Sequence, residues 1–145
     1  MAKIDYNGIK DELKSVILAA NLSVDHEVSI EGDILFDNFD TLIDIEIDSR
    51  ELQTAYISQG TKIRLNLLVT ITVWAKHFEQ SVSKKIRDDL MGELEVVLLQ
   101  NRTLNDKVDT LWLLGGQNVA AYIEDEQAFV SAGEVKINIE SEIIA

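Results

Sequence analysis

Lys62-Ile63-Arg64-Leu65-Asn66-Leu67-Leu68-Val69-Thr70-Ile71-Thr72-Val73-Trp74 decides how the rest of the chain is read. Ile63, Leu65, Leu67, Val69, Ile71 and Val73 occupy every second position. Lys62, Arg64, Asn66, Thr70 and Thr72 lie between them, and Leu68 and Trp74 break the alternation. Successive side chains of a β-strand point to opposite faces, so this pattern builds one apolar face and one mainly polar face. Thirteen residues at about 3.3 Å each span about 43 Å, roughly twice a usual strand.

On the C-terminal side the period changes. Val82, Ile86, Leu90, Leu94, Val97 and Leu98 recur at helical spacing and predict a helix over Gln80–Gln100, with Lys84, Lys85, Arg87, Asp88, Asp89, Glu93 and Glu95 mostly on its polar side. Asn101–Asn105 breaks the pattern. Leu111–Leu114 reads as a strand that Gly115-Gly116 ends as a turn or bulge. Asn118–Glu126 reads as loop, with Val119–Ile123 open to an edge strand. Glu134–Ile144 alternates again: Val135, Ile137, Ile139 and Ile143 share one face.

On the N-terminal side, Ile9, Leu13, Val16, Ile17 and Ala20 place a helix over Tyr6–Asn21, with Asp11 and Glu12 near its positive end. His26–Ile30 is a short strand and Leu42–Asp48 a clearer one. Asp48–Gly60 stays open between strand extension, short helix and projecting loop. The expected fold is α+β: a mixed, mainly antiparallel sheet with two amphipathic helices packed on one face.

With 145 residues, one domain over 1–145 is expected. The chain has no cysteine, so disulfides, thiolate metal sites and cysteine nucleophiles are excluded. No apolar run reaches transmembrane length, and no secretory leader is expected at the N-terminus. The net charge of −13 is uneven: −9 over 1–59, +1 over 60–100 and −5 over 101–145. That balance argues against nucleic-acid adhesion, which needs a basic footprint.

Catalytic constellations fail on spacing. His26 and His77 are the only histidines and stand far apart. Among Asp33, Asp37 and Asp40, Ile34, Leu35 and Phe36 occupy the spacing where a calcium loop needs alternate ligands. Gly115-Gly116 precedes no Gly-Lys-Ser/Thr, and no serine lies in a nucleophile elbow. Asp88-Asp89 sits on a solvated helix face. No catalytic, cofactor-binding or metal-ligating residue is assigned and no cofactor is expected; the chain reads as a non-enzyme. Trp74 and Trp112 are core or rim aromatics, or else interface anchors.

The succession of elements resembles one family. An amphipathic helix and an acidic strand region lead into the long strand ending Val73-Trp74. Then come L-x-x-E-L-E-x-x-L-L-x-N-R-T-L over Leu90–Leu104, V-D-T-L-W-L-L-G-G over Val108–Gly116, and A-G-E-V-K-I-N-I-E-S-E over Ala132–Glu142. In layout this is similar to the tail terminator and tail-completion (minor tail) proteins of long-tailed bacteriophages. The resemblance covers most of Ile9–Ile143, leaves Glu31–Asp40 and Asp48–Gly60 unmatched, and rests on no invariant motif. It implies a virion structural protein, assembled in the host cytoplasm, that forms a homo-oligomeric ring of typically six copies on the end of the tail tube. The ring stops tube growth and offers the head–tail joining surface. Its implied partners are other copies of itself, the tail tube protein and the head–tail connector, with DNA only as cargo passing through the lumen and no membrane. The alternative is a small cellular ferredoxin-like module that binds a ligand or partner. On the assembly reading, Glu51, Gln53 and Tyr56 of the Asp48–Gly60 segment, Lys62 and Arg64 of the long strand, and Trp74 are the candidate interface residues. Lys62 and Arg64 are the expected seat for an acidic neighbouring subunit.

Overall fold

The computed structural model describes residues 3–57, 60–124 and 126–144. It is an α+β fold with two helices on one face of a mixed, mostly antiparallel six-stranded sheet. The elements run α1 (Tyr6–Ala19), β1 (Glu27–Ile30), β2 (Thr41–Ile57), β3 (Gly60–His77), α2 (Gln80–Gln100), β4 (Thr110–Gly115), β5 (Asn118–Ile123) and β6 (Ala128–Ile144). The sheet order is β1-β2-β3-β6-β4, and β5 pairs with β6 as well. Among the described residues, only β1 and β2 run parallel.

The long alternating strand is β3, 18 residues, at the centre of the sheet. Its alternating apolar positions Leu65, Leu67, Val69, Ile71 and Val73 are fully buried. In register with them, Ile43 and Ile45 of β2 and Val135, Ile137 and Ile139 of β6 continue the same face. Onto this face α1 lays Ile9, Leu13, Val16 and Ile17, and α2 lays Leu90, Leu94 and Leu98, in one apolar cluster. Asp5 caps α1: its carboxylate accepts from the Gly8 amide at 3.0 Å.

The start of α2 departs from the periodic reading. Its first turns bury Ser83 and Arg87, while Val82 and Ile86 are only half-buried. The cause lies on β6, where small residues let the helix come close. Ser83 and Ser131 share a hydroxyl hydrogen bond of 2.7 Å, and a Cβ on Gly133 would collide with the Met91 sulfur. Arg87 is satisfied locally, donating to Asp88 at 2.9 Å.

Of the Asp48–Gly60 stretch left open by sequence, Asp48–Ile57 and Gly60 are strand, and residues 58–59 lie outside the described residues. β2 continues to Ile57 and pairs with β3 as far as Gly60, forming a long hairpin arm. A bulge between Ile47 and Ser49 shifts the register, so residues beyond it present the opposite parity. The bulged Asp48 accepts a hydrogen bond from the Thr70 hydroxyl. Past the bulge, Arg50 turns to the helix side and lies over the Tyr6 ring at 5.4 Å.

β4 and β5 line the same edge of β6 in succession. A bulge at Leu114 and the left-handed Gly115 (φ 87°) separate them. The Val119–Ile123 stretch is therefore an edge strand rather than loop.

Candidate assembly surface

Five of the six candidate interface positions fall on the hairpin arm. Gln53 stands opposite Arg64, Glu51 opposite Asn66 and Tyr56 opposite Thr61. The Tyr56 side chain lies outside the described residues. Trp74 is at the other end of β3, ten positions from Arg64, which is about 33 Å along a strand. It pairs with Leu42 and Ala132 and is half-buried. The fold thus gathers Glu51, Gln53, Lys62 and Arg64 on one surface and leaves Trp74 apart.

That surface is not a basic seat. Arg64 pairs directly with Glu142 of β6, and both Lys62 (3.2 Å) and Arg64 (3.0 Å) reach the Glu142 carboxylate. The hydrogen bond from Arg64, and then that from Lys62, hold Glu142 below the usual carboxylate range. Read alone, β3 has a cationic outer face; in the sheet, β6 supplies carboxylates beside it. Gln53, Arg64, Asn66, Asp109, Glu140, Ser141 and Glu142 line a surface depression of about 490 Å³ with mixed charge. The backbone amide of Glu142 donates to Asp109 at 2.8 Å, which ties its rim together.

The acidic stretches meet through one lysine. Lys76 lies 3.7 Å from Asp40 and 3.2 Å from Glu126, with its ammonium over the Phe36 ring at 5.3 Å. Glu31 holds the base of the arm by accepting from the Ile47 amide at 3.3 Å. That bond is the main cause of its lowered pKa, with Lys10 adding to it. His77 Nδ1 accepts from the Glu79 amide at 3.0 Å and closes the turn into α2. His26 places Nδ1 2.8 Å from the Val24 carbonyl, while its Nε2 is buried with no partner among the described residues.

A second surface contains only one sequence candidate, Trp112. Trp112 (48% exposed), Leu114 (57%), Val119 (59%) and Tyr122 (51%) all lie on the β4–β5 edge. The legible signal was charge: Thr110–Ile123 is the longest stretch of the chain without a charged residue. Arg102 covers the beginning of this edge. It donates to the Leu111 carbonyl at 3.4 Å and the Thr110 hydroxyl at 3.1 Å, and its guanidinium stacks over the Trp112 ring at 4.3 Å.

No protein-family model matches the chain, and no curated protein matches it. Among solved structures it is similar to a chain of one described as "Virion of native gene transfer agent (GTA) particle". The identity is 11%, the alignment covers 89% of this chain and 84% of that one, and the TM-score is 0.31. A likeness that distant carries no inference about fold or function.

Proposed function

We propose that the protein is a structural component of a phage-like virion. It forms a ring on the end of the tail tube, stops tube growth and presents the surface that joins the head connector. The chain acts by binding and not by catalysis. Its partners are further copies of itself, the tube subunit and the connector; DNA passes through without being held, since the acidic surface repels it. The observation that carries this reading is the hairpin arm. Asp48–Ile57 runs beyond β1 with one backbone edge unpaired among the described residues, and Ser49–Ala55 is exposed throughout. A strand that long with an open edge is suited to contacts with other chains. The resemblance in layout to tail terminators, which does not extend to the arm itself, supports the same role.

The test is capping. Purified tail tubes incubated with the protein should acquire a terminal ring visible by negative-stain microscopy and should stop adding tube subunits. Tubes that elongate at an unchanged rate and show bare ends would overturn the reading. Under the ferredoxin-like alternative, a small-molecule panel should raise the melting temperature, as ligand binding stabilises the native state; a terminator should show no such shift.

A further inference from the structure

The sheet has two kinds of open edge. On one side, β1 covers β2 only from Leu42 to Ile45, so the β2 overhang is bare from Asp48 to Ile57 among the described residues. On the other side lie β4 and then β5. Native sheets protect such edges with charges, proline, bulges or covering side chains. β4 has two of these devices, the bulge at Leu114 and the Arg102 cover. β5 has none. Its sequence, Asn118-Val119-Ala120-Ala121-Tyr122-Ile123, holds no charge and no proline. Every residue from Asn118 to Tyr122 is exposed and, apart from Tyr122 against the Phe129 ring at 4.9 Å, neither face is covered. An apolar strand bare on both faces and one edge is a template for another strand.

From this we infer that the β5 edge of one copy pairs with the Leu52–Ile57 edge of the next, continuing the sheet head to tail. Four observations choose a second copy of this chain as the occupant. With a net charge of −13, copies repel over most of their surfaces. The overhang carries its charges in its first part, at Asp48, Arg50 and Glu51, and Leu52–Ile57 is uncharged like β5, so contact there meets least repulsion. The two stretches also have the same length, six residues each. Finally, head-to-tail pairing satisfies both bare edges of every copy, whereas two-fold pairing of β5 on β5 would leave the overhang bare. The inference rests on the ring-forming reading above and names its interface.

The cysteine-free chain makes the test direct. Copies carrying Ala121→Cys are mixed with copies carrying Ala55→Cys and treated with a short bis-maleimide, alone and with tail tubes. Leu99→Cys, on the exposed outer side of α2, is the control. Covalent dimers are expected only in the Ala121/Ala55 mixture, and a ladder of oligomers when one chain carries both. Val119→Glu is expected to abolish the assembly with its melting temperature unchanged. Dimers of Ala121→Cys alone, or assemblies that form without the mixed link and survive Val119→Glu, overturn the pairing. Rings on tubes without the mixed link overturn the pairing and leave the tail role. The link without capped tubes leaves the pairing and overturns the tail role. A chain that stays monomeric even with tubes overturns both.

Discussion

Glu142 takes two cations, Lys62 and Arg64, in the fold. Its carboxyl pKa is lowered, so the stabilisation it gives is present above the unfolded-state carboxylate pKa and is lost as pH falls through the lower folded value. Glu142→Gln is expected to unfold slightly more easily than the parent at pH 7. Denaturant titrations of the two should converge in the acid range, where both side chains are neutral. All three side chains are substantially exposed, so the effect is small and shrinks in salt. Buried positions behave differently. Leu94→Ala, in the fully buried stripe of α2, should cost about 3 kcal/mol by denaturant unfolding through lost transfer energy and a cavity. After α2, Leu104, Asn105 and Asp106 are all left-handed, with φ of 48°, 54° and 63°. Burial of the Leu104 side chain holds that turn in place. Exposed Asp106 has no such reward, so Asp106→Gly should raise stability by roughly 0.5 kcal/mol, read as a higher melting temperature.

At the scale of elements, the arm changes what a loop experiment would mean. If Asp48–Gly60 were a projecting loop, a Gly-Ser replacement would remove contacts with partners and spare the domain. The fold pairs Ser49–Ile57 of that stretch with Gly60–Leu68 residue by residue, beside the fully buried Leu65 and Leu67. Replacing it strips β3 of a partner strand along half its length. The replacement is expected to lower the melting temperature by several degrees, on the order of 2–4 °C per kcal/mol lost for a chain of this size. Loss of assembly in that variant would therefore not separate folding from binding; single substitutions at exposed Gln53 or Ala55 do. The strand pattern of β2 was legible up to Ile47 because Ile43, Ile45 and Ile47 alternate. Beyond it the bulge at Asp48 reverses the parity, and exposure of both faces removes the apolar period that marks a strand. β5, open between loop and edge strand in the sequence, likewise lacks the apolar period because both its faces are exposed.

At the scale of the whole molecule, a net charge of −13 opposes association of copies, and salt screens that repulsion. The oligomeric fraction at fixed protein concentration, followed by mass photometry, is expected to rise between low and physiological salt. A fall would mean that ion pairs across the interface outweigh the repulsion. The sequence by itself determined the two helices, the central strand and the α+β class, because each buries one face and the burial is written as a period of 3.6 or 2. It also excluded cysteine chemistry outright. Strand order, register and edges were decided only by the tertiary structure. Periodicity says which face of a strand is apolar but not which neighbour lies beside it, so nothing in Lys62 and Arg64 announced Glu142, 78 positions beyond Arg64. The same limit applied to the candidate surface. The uncharged Thr110–Ile123 stretch was visible in the sequence, but its standing as an open edge depends on which strands pair, and that is settled by long-range packing.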